Sequence, residues 1–201
     1  KGRKIELIVR DDGQNAEQAR RAARELIDLR PEVVIGPVTS SMAAVVVPMM
    51  NEAQLTLISP TVMSPDFHGK DDRFFRVNRT TTEAGIEHAR ILRERKLKRV
   101  GIAFDASNPQ YSDTWRQAFV DTFTSLGGEI AGSVGFSSIA TPRFSEIIGE
   151  LLAGKPDTLL FISSSLDTAR LCQQARQQAP ALPLSSTEWA AAGEVLTTAN
   201  V

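Results

Sequence analysis

The chain reads as an α/β protein whose parallel sheets are flanked by helices, and two patterns predict this. Short apolar, β-branched runs recur at Ile5–Val9, Val33–Ile35, Leu55–Ile58, Phe74–Val77, Val100–Phe104, Ile130–Phe136 and Thr158–Ile162, with a weaker one at Leu182–Leu184. Stretches of helical periodicity separate most of them, so a strand–helix unit returns roughly every 20–30 residues, the signature of parallel pairing through helical crossovers. The composition agrees. The 201 residues are 42% hydrophobic and 23% charged, as in ordinary globular proteins, and this length is long for one domain and short for two full ones.

Each element has a local reason. After Ile5–Val9, the acids Asp11-Asp12 and then Asn15 supply helix-start chemistry, and Ala16, Ala19, Ala23, Leu26 and Ile27 share one helical face. The strand Val33–Ile35 meets a Gly36-Pro37 turn, and Thr39, Ser40 and Ser41 open a second helix in which Pro48 should cause a kink or break. Leu55–Ile58 follows, then the irregular stretch Pro60 to Arg73, rich in proline and aspartate and read as a surface loop. After Phe74–Val77, a threonine cap followed by Glu83 starts a helix to about Lys96. A domain crossover is placed near Asn78 to Thr80, with residues 1–77 in one lobe and 78–201 in another. Trp115, Ala118, Phe119, Thr122, Phe123 and Leu126 form the next apolar face, stopped at Gly127-Gly128. Phe144, Ile147, Ile148, Leu151 and Leu152 form another, stopped at Ala153-Gly154-Lys155-Pro156. Leu166, Ala169, Cys172 and Ala175 mark the last helix, and Cys172 reads as buried packing.

Several functions are disfavoured. A net charge of −1 gives no electrostatic case for nucleic acid or an anionic membrane, and the basic run Arg90 to Arg99 reads as a solvated helix end. Phosphate-cradling glycine motifs, a nucleophile elbow and zinc-ligand spacing do not occur. His68 and His88 read as surface or capping groups. An enzyme using Asp105, Tyr111 or Glu188 would lack a recognisable nucleophile–base pair. No metal or cofactor is expected.

The sequence does repeat hydroxyls and acids at successive strand C-termini. They are Asp11-Asp12, Thr39-Ser40-Ser41, Ser59-Pro60-Thr61 with Ser64, Asp105 with Ser107 and Tyr111, Ser163-Ser164-Ser165, and Thr187-Glu188-Trp189. Singly each is a cap or turn residue. In open parallel sheets, however, ligands bind beyond those C-terminal edges, and the recurrence points to a small polar solute. At VVIGPVTSS the amides and hydroxyls of a helix start make a socket for a carboxylate.

The ordered stretches KGRKIELIVRDDGQNAEQARRAARELI, VVIGPVTSS, LTLISPTVMSP, FFRV, KRVGIAFDASNPQYSD, PDTLLFISSSLDTARLCQQAR and LSSTEW resemble the type I periplasmic solute-binding proteins of branched-chain amino-acid ABC transporters. The resemblance implies two Rossmann-like lobes joined by a hinge that close over a solute, and it implies that this chain is an excerpt, truncated at both ends. It also implies an amino-acid or small carboxylate ligand, a membrane permease as partner, and a periplasmic or extracellular location compatible with a lipid anchor. Ser40, with Ser41 beside it, matches the serine that holds the ligand carboxylate, and Thr61 matches a backbone contact. Met63 replaces a threonine that touches carboxylate and ammonium. Tyr111 resembles a cleft-lining tyrosine, Ser164 stands where an aromatic is common, and Glu188 matches the acid that pairs with the ligand ammonium. The same fold also serves as the ligand-binding sensor domain of receptors, which is the alternative reading.

Overall fold

The computed structural model describes residue 2 and residues 4–192. The chain divides into two compact units, Lys1–Arg79 and Thr80–Val201.

In the first unit, helix α1 (Ala16–Leu29) begins where the Asn15 side chain accepts from the amides of Glu17 and Gln18. It is followed by strand β1 (Val34–Ile35), helix α2 (Ser40–Glu52), β2 (Leu57–Ser59), a 3-10 turn at Pro65–Phe67 and β3 (Phe74–Arg76). The strands are parallel in the order β1-β2-β3. Val34, Leu57 and Phe74 stand in register and join Ala19, Ala23, Val46 and Met50 in one buried cluster. The small alanines of α1 allow that helix to approach the cluster closely. The alternate row, Ile35, Ile58 and Phe75, faces the other way and is exposed.

Two local expectations change here. Residues 5–9 form no strand: Ile5, Leu7 and Val9 are 97%, 82% and 70% exposed, and no ladder partner lies beside them among the described residues. Alternation gives a segment the pattern of a strand, but pairing is what stabilises extension, because unpaired backbone groups are as well served by water. Pro48 does not end α2, which continues to Glu52. The buried Val46, Val47 and Met50 on either side of the proline anchor both halves of the helix in the core, and that packing outweighs the missing amide.

The second unit contains α3 (Thr81–Glu94), β4 (Arg99–Asp105), α4 (Pro109–Ser125), β5 (Glu129–Phe136), α5 (Phe144–Ala153), β6 (Thr158–Ile162), α6 (Ser165–Gln178), β7 (Leu184–Ser186) and a 3-10 turn at Glu188–Ala190. Thr80 and Glu83 form the capping box that starts α3. The last strand sits two residues later than its apolar pattern suggests. All four strands are parallel, in the order β5-β4-β6-β7. The chain therefore moves outward from β4 to β5 and then crosses back over β4 to β6, which makes the β4–β6 boundary a topological switch point.

Helices α5 and α6 pack with Ala103, Leu159 and Phe161 on one face. Helices α3 and α4 pack against each other on the opposite face, where His88 of α3 reaches Ser185 of β7 and the Arg116 guanidinium of α4 lies over the Phe104 ring of β4. Trp115, Phe119 and Phe123, one turn apart on α4, stack in series with centroid separations of 5.6 and 5.2 Å. A Cβ on Gly85 would lie 2.5 Å from the Trp115 carbonyl oxygen, so glycine is what lets α3 and α4 come this close.

Candidate functional site

In the first unit the candidate residues gather in the loops that follow β1 and β2. The Gly36–Pro37 bond is cis, and Thr39 is the N-cap of α2, its Oγ1 accepting from the Met42 amide at 3.4 Å. Ser40 is the first helical residue, only 2% exposed, and its Oγ accepts from the amides of Met63 and Ser64, both at 3.3 Å. It is therefore an internal bridge between α2 and the loop after β2, with its own O–H still able to donate. Ser41 is half-buried beside it. The Thr61 hydroxyl is exposed and donates to the Val38 carbonyl at 2.7 Å, while Met63 is buried. Ser64 caps the 3-10 turn by accepting from Asp66, and Ser59 donates to the Pro37 carbonyl and accepts from Val62. Hydroxyls read from the sequence as ligand groups thus have structural work of their own, stitching the two loops into one surface at the positive end of α2.

In the second unit the predicted residues follow β4, β6 and β7. Tyr111, in the first turn of α4, is buried, and its ring meets that of Trp189 edge-on with centroids 5.1 Å apart. That contact brings Tyr111 to the turn after β7, which the exposed Glu188 opens. Ser164 is the N-cap of α6: its Oγ accepts from the Asp167 amide at 3.3 Å and donates to the Asp167 carboxylate at 3.2 Å. Its structural work is therefore evident, and it is only half-buried.

Two buried carboxylates flank the switch point. Asp105 ends β4 and accepts from the Ser107 amide at 2.9 Å, the Ser107 hydroxyl at 2.6 Å and the Ser138 amide at 3.1 Å. Asp167 lies nearby on α6, and burial pushes its carboxyl above the usual aspartate value. The Ser164 hydrogen bond opposes that rise, the charge of Asp105 adds to it, and Arg170 offsets it. The pairing was missed in the sequence, although Ser-x-x-Asp at 164–167 is a legible capping pattern.

His88 is neither a surface nor a capping group. Its Nε2 lies 2.7 Å from the Ser185 hydroxyl, and its ring packs edge-on against Trp115 and Phe119. The signal was present, since His88 falls midway between the buried Ala84 and Leu92 at i, i+4, i+8 on one face of α3. His68 is exposed. Among the described residues no cluster of three or more His, Cys, Asp or Glu side chains could hold a metal, and no helix is long and apolar enough to cross a membrane.

The fold has many solved counterparts. A leucine-binding protein from Thermotoga maritima is 24% identical with a TM-score of 0.88, and the match covers 98% of this chain and 56% of that one. A branched-chain amino-acid transporter substrate-binding protein from Streptococcus pneumoniae, solved with isoleucine, is 19% identical at TM-score 0.85, with 97% and 55% covered. An ABC-transporter solute-binding protein from R. palustris, solved with 4-hydroxybenzoate, is 20% identical at TM-score 0.82, with 92% and 51% covered. The chain thus spans about half the length of these neighbours. No curated protein matches it significantly. A family model described as periplasmic binding protein matches residues 1–192, a span that includes every described residue of both parallel-sheet units, and on that ground the chain belongs to the periplasmic binding protein family.

Proposed function

We propose that the chain is the solute-contacting part of an extracytoplasmic substrate-binding protein of an ABC importer, and that its solute is an amino acid or related small carboxylate. The observation that carries the reading is the gathering of hydroxyls and helix-start amides beyond β1 and β2, in a chain of this family. Its chemistry suits a carboxylate, which accepts hydrogen bonds and is favoured at the positive end of a helix. In this reading the two units act as lobes that meet at a hinge near residues 78–80 and close over the solute. Ser41 and the remaining O–H of Ser40 donate to the carboxylate, the backbone at Thr61 adds a contact, and Met63 contributes apolar surface. From the second unit Tyr111 forms an aromatic wall, Ser164 a small polar one, and Glu188 pairs with an ammonium where the solute has one. The reading calls for binding and release, with no bond made or broken, and delivery to a membrane permease.

Met63 removes a hydroxyl that would hold an ammonium, which favours acids without an amine as strongly as amino acids. The solutes of the structural neighbours, isoleucine in one and 4-hydroxybenzoate in another, span the same two classes. Thermal denaturation of the full-length protein with isoleucine, 4-hydroxybenzoate or glucose tests the assignment. A true ligand at a hundredfold excess over its Kd adds about 2.7 kcal/mol of stability. Stabilisation by a carboxylate that is lost in Ser41→Ala is the expected result, and stabilisation by glucose alone overturns it. Ser40→Ala strips the acceptor from two buried amides and lowers stability by about 1–3 kcal/mol with or without solute, so for each variant the solute effect is read as the difference in melting with and without solute.

A further inference from the structure

The loop that follows β2 is held at both ends by one short segment. The Asn78 side-chain amide donates to the Pro60 carbonyl, and the Arg76 guanidinium donates to the Ser64 carbonyl. Arg76 is the last residue of β3 and stands in register with Ser59, the last residue of β2. The loop therefore leaves the sheet beside the end of β3. Asn78 lies two residues further on, just before the boundary of the two units at Arg79 and Thr80.

The middle of the loop is fastened elsewhere. The Thr61 and Val62 amides donate to Ser59 Oγ at 3.3 and 3.1 Å, and those of Met63 and Ser64 donate to Ser40 Oγ. The Thr61 hydroxyl reaches the Val38 carbonyl. Residues 61–64 lie outside any helix or strand, so these side-chain bonds set their shape. The end bonds do more than tether. A peptide unit is planar, so the bond from Asn78 to the Pro60 carbonyl also sets the direction of the Thr61 N–H in the same unit. The bond from Arg76 is charge-assisted, one of the stronger kinds, and the guanidinium keeps its charge at any working pH.

We propose that Arg76 and Asn78 are positioning residues, which set the solute-contacting loop 60–64 from the segment that enters the hinge. The inference rests on the solute-binding reading above, in which the backbone at Thr61 and the side chain of Met63 meet the solute. Its consequence is mechanical. Any turn of the backbone at residues 77–80 shifts the two donors, and the peptide planes of the loop follow them.

Hydrogen exchange of the full-length protein without solute tests the clamp, with the amides of Thr61, Val62, Met63 and Ser64 as reporters. Asn78 is exposed, so Asn78→Ala removes one donor and leaves the fold intact. Exchange at the reporters should rise about 5–10-fold, the loss of one ordinary hydrogen bond, while amides within α1 keep their rates. Arg76→Met should have the same effect, and Arg76→Lys, which keeps a charged donor, should restore most of the protection. Unchanged exchange in both Asn78→Ala and Arg76→Met overturns the clamp. The positioning role is read separately, by calorimetric titration with isoleucine and with 4-hydroxybenzoate. For a solute that binds the native protein, Asn78→Ala should raise Kd about 5–10-fold while the Tm of the solute-free protein stays the same. Mere bracing of the fold would not give that split. An equal Kd overturns the positioning role and leaves the functional reading standing. Binding of neither solute by the native protein overturns that reading, and the positioning role with it.

Discussion

Asp167 shows how one residue can serve a helix and still tax the fold. It completes the cap of α6 with Ser164 yet carries a buried carboxyl beside Asp105. Its folded-state affinity for a proton is raised, so the stability it contributes is fully present below the ordinary aspartate pKa of about 3.9 and is lost as pH rises through the higher folded value. Asp167→Asn keeps an oxygen for the Ser164 hydroxyl and removes the charge. Melting curves across pH 4 to 7 should show the variant gaining on the native protein as pH rises; a difference independent of pH would mean that the carboxyl is not perturbed. Single residues were also where the sequence spoke least clearly. A serine in VTSS reads equally as a cap, a ligand group or a bridge, and only the partners settle its role: Thr39 caps, and Ser40 holds two amides from a loop 23 and 24 residues away. Long-range partners of that kind leave no local signal.

Secondary elements were more legible, because periodicity and caps are local. Asn15, Thr80 with Glu83, and Gly154 mark helix ends where the structure has them. What local pattern could not supply was the neighbour, as the unpaired Ile5–Val9 segment shows. Two glycines within helices illustrate the distinction. Gly85 faces the Trp115 carbonyl at a distance no Cβ tolerates, whereas at Gly149 the nearest atom is a flexible Gln178 side-chain oxygen 3.6 Å away. Gly85→Ala should destabilise by about 1–3 kcal/mol through overpacking between α3 and α4, although alanine is the better helix former. Gly149→Ala should instead stabilise α5 by up to about 1 kcal/mol. Denaturant midpoints of the two variants should shift in opposite directions, and a common direction would show that helix packing does not decide between them.

For the whole molecule, alternation of strand and helix was enough to give the fold class, and the parallel sheets bear it out. The order of the strands was not legible, since the return across β4 depends on which sheet face each helix covers. One consequence concerns solubility. Parallel sheets are normally covered on both faces, yet Ile35 and Phe75 in the first unit are 73% and 56% exposed and lie in one row with Ile58. Residues 1–201 produced alone should therefore bind a hydrophobic dye and self-associate, and Phe75→Lys should reduce both effects in fluorescence and sedimentation measurements. Equal dye binding by the native chain and the variant would place the sticky surface elsewhere.

The Ser40 bridge has a consequence for how fast and how tightly a solute could be held. A loop whose amides are already anchored to a helix has little conformational freedom left to surrender. The entropy of ordering the residues around Met63 and Ser64 is charged to folding, so on the proposed reading a solute docking there would meet a rigid surface and spend less of its contact energy on arranging the protein.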